Sequence, residues 1–182
     1  GRRFLPLKGF KEYDIILVDS RQQLEIAQEK FPNVMATMFI KPAPENLFYP
    51  IEGIEKKFDL CYPACGRTSR KGHKFIYSTL PKKFKVLNLG FPSSQINPPS
   101  NVVSKRVLKP KISRQYQKCK VGIVASTKGQ GLYGLSWDSC PRVIPEMLAC
   151  GMPIVVLDEL EFWSEKYITP MTGRLANREN YW

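Results

Sequence analysis

The chain alternates short apolar runs with segments whose apolar residues recur at helical spacing. Apolar runs that predict strands lie at about 14–19, 34–40, 58–65, 84–89, 102–108, 121–125 and 154–157. Helices are predicted between them at about 21–30, 73–80, 112–119 and 141–150. The strands are continuously apolar, which is typical of a parallel sheet covered on both faces. The pattern therefore predicts an α/β fold, a Rossmann-like parallel sheet with helices on both faces, over about residues 50–176.

The segment 138–156 carries the densest local signals. Ser139 is suited to cap a helix, and Pro141 fits the first helical turn. Gly151 is the expected helix stop, and an apolar strand follows it. The sequence therefore predicts a loop, a helix and a strand in direct succession.

Two acids and a cation surround the start of that helix. Arg142 and Glu146 lie four residues apart and so share one helix face, while Asp138 precedes the helix on the loop. The free backbone N–H groups of a helix start can bind an anion, and carboxylates can accept hydrogen bonds from hydroxyl groups. An ordinary α/β crossover with surface charges explains this segment about equally well.

Composition narrows the choice of protein class. Of the 182 residues 43% are hydrophobic, enough for a real core, and no apolar run approaches the length of a membrane span. The five cysteines are odd in number, and His73 is the only histidine, so buried free thiols in a reducing compartment are expected and a zinc site is not. We expect His73 to be a capping or surface residue rather than a catalytic base.

The net charge of +12 points toward anionic partners. Seven basic residues lie between positions 105 and 120 without an acid among them: Lys105, Arg106, Lys109, Lys111, Arg114, Lys118 and Lys120. Such a run favours polyanions, an anionic membrane surface or phosphorylated ligands, although a solvated basic face explains it as well. Binding of nucleic acid is not expected as the main function, because no helix-turn-helix, zinc-finger or RNP signature is present.

Both candidate sites follow strands. The basic loop with Arg67 and Lys71 comes after the strand at 58–65, and the loop with Asp138 comes after the strand at 121–125. In open parallel sheets, ligands bind beyond the carboxyl ends of the strands. The two loops are therefore expected to share one rim of the sheet.

These motifs, taken in order, resemble the nucleotide-sugar-binding half of a retaining GT-B glycosyltransferase. The likeness rests on Gly66-Arg67-(x)3-Lys71-Gly72, on an acid-x7-Glu element formed by Asp138 and Glu146, and on Ala-Cys-Gly-Met-Pro-Ile-Val-Val at 149–156. It covers most of residues 14–176 and is strongest to glycosyltransferase family 4, the glycosyl transferases group 1. The dinucleotide motif Gly-x-Gly-x-x-Gly at 129–134 fails its context, because no helix follows it directly.

The resemblance implies roles for particular residues. Arg67 and Lys71 match the cations that hold the donor diphosphate, and Glu146 matches the acid that binds the ribose hydroxyls. Asp138 stands where the family has a glutamate that contacts the transferred sugar, so its shorter side chain departs from the pattern. Asp138 and Glu146 are the candidate catalytic residues.

Three further residues are implied at the donor site. The backbone around Val107 and Leu108 matches the segment that reads the nucleotide base, and Arg142 is a candidate donor contact beside Glu146. No metal or other cofactor is expected, because the chain has no Asp-x-Asp motif and the two cations can take that role.

The same resemblance predicts an organisation and a set of partners. Residues 1–49 match the tail end of an N-terminal acceptor domain with its connector, and residues 50–182 match a donor-binding domain that is truncated. We expect a UDP- or GDP-sugar donor, an acceptor that is a saccharide, lipid or protein, and a cytoplasmic location with optional peripheral contact to the inner face of a membrane. Such a fragment is expected to bind a donor but to turn over poorly or not at all.

Two other functions remain open at the level of sequence. The first is a basic α/β module that binds polyanions or nucleic acid, which charge alone supports. The second is a GT-B-like scaffold that has lost activity, for which the aspartate at position 138 would be an early sign. A competition experiment distinguishes these functions. A nucleoside diphosphate should block a donor site, whereas polyanion binding should ignore nucleotide sugars and weaken steeply with salt.

Overall fold

The computed structural model describes residues 15–18, 21–39, 41–64, 71–90, 97–126, 141–158 and 168–182. Strands and helices alternate along most of this range. The strands are β1 (Ile15–Val18), β2 (Met35–Met38), β3 (Phe58–Tyr62), β4 (Val86–Leu89), β5 (Val102–Lys105), β6 (Cys119–Val124), β7 (Ile154–Leu157) and β8 (Gly173–Ala176). The helices are α1 (Arg21–Lys30), α2 (His73–Thr79), α3 (Lys109–Tyr116) and α4 (Val143–Ala149).

Six strands form one parallel sheet in the order β5-β4-β3-β6-β7-β8. The register pairs Leu60 of β3 with Val86 of β4 on one side and with Val121 of β6 on the other. The chain first builds outward from β3 to β5 and then starts again at β6 on the opposite side of β3. This is the strand order of a doubly wound Rossmann-like sheet, whose direction reverses between β3 and β6.

Each face of the six-stranded sheet carries its own core, because successive strand residues point to opposite sides. Helices α3 and α4 cover one face, where Tyr116 and Met147 are fully buried. Helix α2 and the segment around Tyr181 cover the other face, where Ile76 is fully buried. The predicted Rossmann-like α/β fold with helices on both faces is therefore confirmed. Among the described cysteines, three are buried free thiols: Cys61, Cys119 and Cys150.

The Met147 side chain of α4 packs directly on Gly122 in β6. A Cβ at this position would stand 2.5 Å from the Met147 sulfur and 2.9 Å from Cγ2 of Ile154. A larger residue would therefore require Met147 and Ile154 to repack, since protein cores pack at nearly crystalline density.

Strands β1 and β2 pair in parallel in a separate two-stranded sheet, with α1 between them in sequence. Several of its apolar side chains remain exposed, among them Leu17 at 57% and Met35 at 67%. No described helix is long and apolar enough to cross a lipid bilayer.

The helix predicted at 112–119 begins and ends earlier than expected, at Lys109 and Tyr116. Pro110 suits the first turn, where a helix needs no N–H donor. Cys119, expected as the end of this helix, is instead the first residue of β6, and it pairs with Phe58 of β3. The pairing with the central strand outweighs the local helical spacing.

The start of α4 also differs from the prediction. The residue at the N-cap position is Arg142, without a side-chain cap, so the helix begins at Val143 and the expected first helical turn at Pro141 is wrong. Ser139, the expected cap, lies outside the described residues. Pro145 is then the third residue of the helix, where its missing N–H costs nothing. Strand β8 was not predicted.

Candidate functional site

The two loops that the sequence singles out leave the sheet at its central pair of strands. Residues 63–72 connect β3 to α2, and residues 125–142 connect β6, the neighbour of β3, to α4. The direction of winding reverses between these two strands, and α2 and α4 pack on opposite faces of the sheet. A sheet of this kind is expected to leave a crevice between them at its carboxyl edge. The topology thus brings Lys71 and Glu146 to the same edge of the sheet.

A direct contact fixes the ends of both loops. Gly72 has φ of 73°, and a Cβ there would lie 2.0 Å from the backbone oxygen of Ala125 at the end of β6. No other residue fits this position without moving backbone. The chain just after Lys71 is therefore held against the start of the loop that leads to α4.

A hydrogen bond from the end of β3 fixes the backbone at Lys71. The hydroxyl of Tyr62, the last residue of β3, donates a hydrogen bond to the Lys71 carbonyl oxygen. Tyr62 is 1% exposed, and burial raises the pKa of its hydroxyl, so this group stays a neutral donor. The hydrogen bond fixes the Lys71 backbone near the end of β3.

His73 is buried, and the expectation of a surface or capping residue is wrong. It is 3% exposed, and its ring stands edge-on to Tyr62 and Tyr77 at centroid distances of 5.2 and 5.5 Å. Neither ring nitrogen has a hydrogen-bond partner among the described residues. Burial lowers the pKa of His73, the nearby Ala64 backbone raises it in part, and the charge of Lys71 lowers it further. The residue therefore packs as a neutral aromatic ring.

Glu146 lies in the first turn of α4 and is 8% exposed, which is unusual for a carboxylate. The hydroxyl of Tyr116 on α3 donates a hydrogen bond of 3.3 Å to its Oε2. Burial raises the pKa of Glu146, while the Tyr116 bond and the positive charges of Lys109 and Arg142 oppose that rise. One carboxylate oxygen is thus fixed by the protein at the edge of the crevice.

Arg142 itself occupies the N-cap position of α4 and is exposed. Its carbonyl oxygen accepts the hydrogen bond from the Glu146 N–H at 3.2 Å, so the two residues lie one helical turn apart, as predicted. Lys109, the first residue of α3, acts on the same carboxylate. Cations from two helices therefore flank Glu146.

Val107 and Leu108 lie between β5 and α3, at the same carboxyl edge of the sheet. Val107 packs against the core under α3 and α4, whereas the side chain of Leu108, the N-cap residue of α3, is 70% exposed. Their position agrees with a segment that borders the crevice on its β5 side.

Two of the predicted site residues, Arg67 and Asp138, lie outside the described residues. Sequence reasoning missed Tyr62, Tyr116 and Lys109 as site residues. Tyr62 is hidden in an apolar strand, and Tyr116 lies four residues after Ile112 in the predicted helix, a spacing typical of an apolar helix face. No group of three His, Cys, Asp or Glu side chains in the described part of the chain is arranged to hold a metal ion.

Comparison with known proteins gives structural neighbours only. No protein-family model matches the chain, and no curated protein matches it in sequence. The fold is similar to that of sucrose-phosphate synthase from Thermosynechococcus elongatus, with a TM-score of 0.69 and 16% identity over 93% of this chain and 47% of that one. It is similar to AviGT4, a glycosyltransferase involved in avilamycin A biosynthesis, with a TM-score of 0.61 and 13% identity over 91% of this chain and 52% of that one.

TarM is a third neighbour, with a TM-score of 0.62 and 13% identity over 96% of this chain. The chain spans about half or less of the length of these proteins. At such identities the likeness shows the fold alone. The protein class that follows is a Rossmann-like module with the fold found in GT-B glycosyltransferases, as the motifs predicted.

Proposed function

We propose that the chain is the donor-binding portion of a glycosyltransferase that transfers a sugar from a nucleoside diphosphate sugar to an acceptor, with retention of configuration. The observation that carries this proposal is the buried Glu146 beside the switch-point crevice, with one oxygen held by Tyr116. A carboxylate fixed at that edge of a Rossmann-like sheet is suited to bind ribose hydroxyls. The motif order and the glycosyltransferase neighbours support the same reading.

The basic loop supplies the second half of the argument. As a nucleoside diphosphate leaves the sugar, negative charge grows on its phosphates. Lys71, whose backbone Tyr62 anchors, and Arg67 on the same loop are the residues that would stabilise this charge. Two cations can do this without a metal ion, so we propose that none is needed.

The remaining roles follow from position. Asp138 precedes α4 and would contact the sugar, while Val107 and Leu108 would border the base at the β5 side of the crevice. Arg142 and Lys109 would keep Glu146 ionised when the ligand covers it, because a desolvated carboxylate needs nearby positive charge. In this arrangement residues 1–49 belong to the acceptor side and its connector, and residues 50–182 to the donor side.

A thermal-shift screen with UDP, GDP and their sugars tests the proposal. A ligand at one hundred times its Kd should stabilise the fold by about 2.7 kcal/mol. The double variant Arg67→Ala/Lys71→Ala should lose this stabilisation, because the diphosphate loses both of its cations. The control Lys82→Ala/Lys83→Ala removes the same charge from exposed positions on the turn before β4 and should leave binding unchanged.

The results separate the alternatives. Equal affinity in the site variant and the control would contradict the diphosphate assignment. Binding of polyanions that ignores nucleotide sugars would instead favour the basic binding module. Donor binding without sugar transfer, even when the acceptor side is present, would favour an inactive scaffold.

A further inference from the structure

Residues 46–51 run along α3 and leave a groove of about 560 Å³ between them. Its size falls within the range of small-molecule sites, which occupy roughly 300–1,000 Å³. The groove uses none of the residues placed in the donor site above.

The two walls are held together by Gln117, which directly follows α3 and is 4% exposed. Its Nε2 donates to the carbonyl oxygen of Tyr49 at 2.8 Å, and its Oε1 accepts from the N–H of Ile51. Phe48, between them, is buried and stacks on Tyr116 at 6.2 Å. The groove is therefore preformed, and its shape does not depend on a ligand.

One wall is cationic. Lys111, Arg114 and Lys118 follow the spacing i, i+3 and i+7, which places them on one side of α3 and its extension. None of the three forms an ion pair with an acid within the described part of the chain, and no acid is among the described residues that line the groove. Three positively charged residues thus line the same concave space, and no acidic residue is among its described lining residues.

The opposite wall is largely apolar. It presents Leu47, Tyr49 and Ile51, and the Tyr49 side chain is 51% exposed although its backbone is fixed by Gln117. A ring exposed in this way can stack on a flat or ring-shaped group of a ligand. The walls together match a molecule with an anionic end and an apolar or cyclic body.

The cationic wall of the groove lies on the opposite side of α3 from Glu146. Tyr116 contacts Glu146, whereas the basic side chains lie roughly half a helical turn away. Ser113 lines the groove and also contacts Cys150, at the end of α4 remote from Glu146. A ligand on the cationic wall is therefore separated from Glu146 by the thickness of α3.

We infer that the groove between residues 46–51 and α3 is a second anion site that binds a small phosphorylated molecule. Three cations match the two to four negative charges of a phosphate ester or diphosphate. The concave shape fits a single small molecule better than a flat lipid surface, against which only the rim would make contact. The site stands independently of the proposed donor function.

Calorimetry with inorganic pyrophosphate tests the second site. The background is Arg67→Ala/Lys71→Ala, so that the proposed donor site does not contribute to the signal. This protein should still bind one pyrophosphate. Adding Lys111→Ala, Arg114→Ala and Lys118→Ala should weaken pyrophosphate binding by roughly 1,000-fold, since each of the three charged hydrogen bonds is worth about one decade in affinity.

The matched control adds Lys56→Ala, Lys82→Ala and Lys83→Ala to the same background. It removes the same three charges from exposed positions outside the groove, so pyrophosphate binding should change by less than about threefold. The variant Gln117→Leu keeps every charge but removes the hydrogen bonds that hold the Tyr49 and Ile51 backbone beside α3. It should therefore also weaken pyrophosphate binding. A thermal melt of each variant checks that it folds.

Absence of pyrophosphate binding in the background protein overturns the inference, and so does equal weakening by the control. Vesicles of phosphatidylglycerol provide the competing source of phosphate. If the groove variant loses vesicle binding while its pyrophosphate affinity is unchanged, the basic wall is a membrane contact and the small-molecule site is wrong. The donor proposal is tested separately by nucleotide binding to the chain with its groove residues altered.

Discussion

A buried carboxylate is costly, and Glu146 shows how the chain offsets the cost. Removing an ionised group from water is unfavourable unless hydrogen bonds and opposite charges replace the lost hydration. Tyr116 supplies the hydrogen bond, and Lys109 and Arg142 supply the charge. Since Tyr116 fixes Oε2 with its hydroxyl, we expect the other oxygen to serve the ligand.

Glu146 and Asp138 should do different work. Glu146→Gln should lower the affinity for nucleoside diphosphates and for nucleotide sugars alike, by about one to two decades, because the ribose is common to both. Asp138→Asn should lower only the affinity for the nucleotide sugar. Calorimetry on both variants with both ligands measures this. If Asp138→Asn weakens both ligands equally, Asp138 shapes the loop rather than contacting the sugar.

His73 predicts a dependence of stability on pH. Its pKa in the fold lies below the ordinary value of 6.5, so below about pH 6.5 the unfolded chain binds a proton that the folded chain resists. Stability should fall as the pH drops through this window, by at most about 1.4 kcal/mol per pH unit. Urea unfolding of the wild type and of His73→Phe between pH 7 and pH 5 measures the effect. The same slope in both proteins would show that His73 does not titrate on unfolding.

At the scale of elements, a comparison of two glycines distinguishes the cost of backbone strain from the cost of a steric clash. Gly53 and Gly72 have nearly equal φ of 72° and 73°, but a Cβ at Gly53 meets nothing within 4 Å, whereas at Gly72 it meets the Ala125 oxygen. Gly53→Ala should therefore cost about 1 kcal/mol of stability, from φ alone. Gly72→Ala should cost about 1–3 kcal/mol more, because the loop must move off β6.

Denaturant unfolding of the two variants gives this difference directly. Gly72→Ala should also lower the affinity for nucleoside diphosphates, since it shifts the backbone next to Lys71. Gly53→Ala should leave that affinity unchanged. Equal stability losses in the two variants would mean that the loop after β3 can move away from β6 at little cost.

Most elements were predictable because apolar runs and helix stops are local signals. β7 has the predicted bounds, and α1 agrees with its prediction. The boundaries of α3 and α4 were not predictable in this way. Helix α3 ends before Cys119, which pairs with β3, and α4 starts without a side-chain cap. β8 was missed because Gly173 opens a strand of four residues with two exposed members, which has little apolar character of its own.

The site was predictable to the extent that it lies in contiguous motifs. Glu146, Arg142 and Lys71 follow from spacing and from the family likeness. The partners of Glu146 come from another helix, and the hydrogen bond from Tyr116 spans thirty residues. No spacing rule reaches that far, so the burial and the pKa of Glu146 emerge only from the folded chain.

At the scale of the whole molecule, the net charge of +12 predicts two different responses to salt. An oligonucleotide that contacts six or more phosphates should lose roughly 1,000-fold in affinity between about 50 and 200 mM salt. A nucleoside diphosphate held by two cations should lose about tenfold or less over the same range. Titrations of both ligands at the two salt concentrations measure the slopes. Equal slopes would contradict a specific diphosphate site.

The strand order has a consequence for how the chain folds as it is synthesised. β3 emerges first of the six strands yet takes a central place; β4 can pair with one of its edges soon afterwards, and β5 can then pair with β4. The other edge of β3 waits until β6 has been made, with unpaired N–H and C=O groups beside an apolar surface. Such an edge is a template for pairing with another chain. The nascent protein is therefore most prone to aggregate after β5 and before β6, and the arrival of β6 closes that interval.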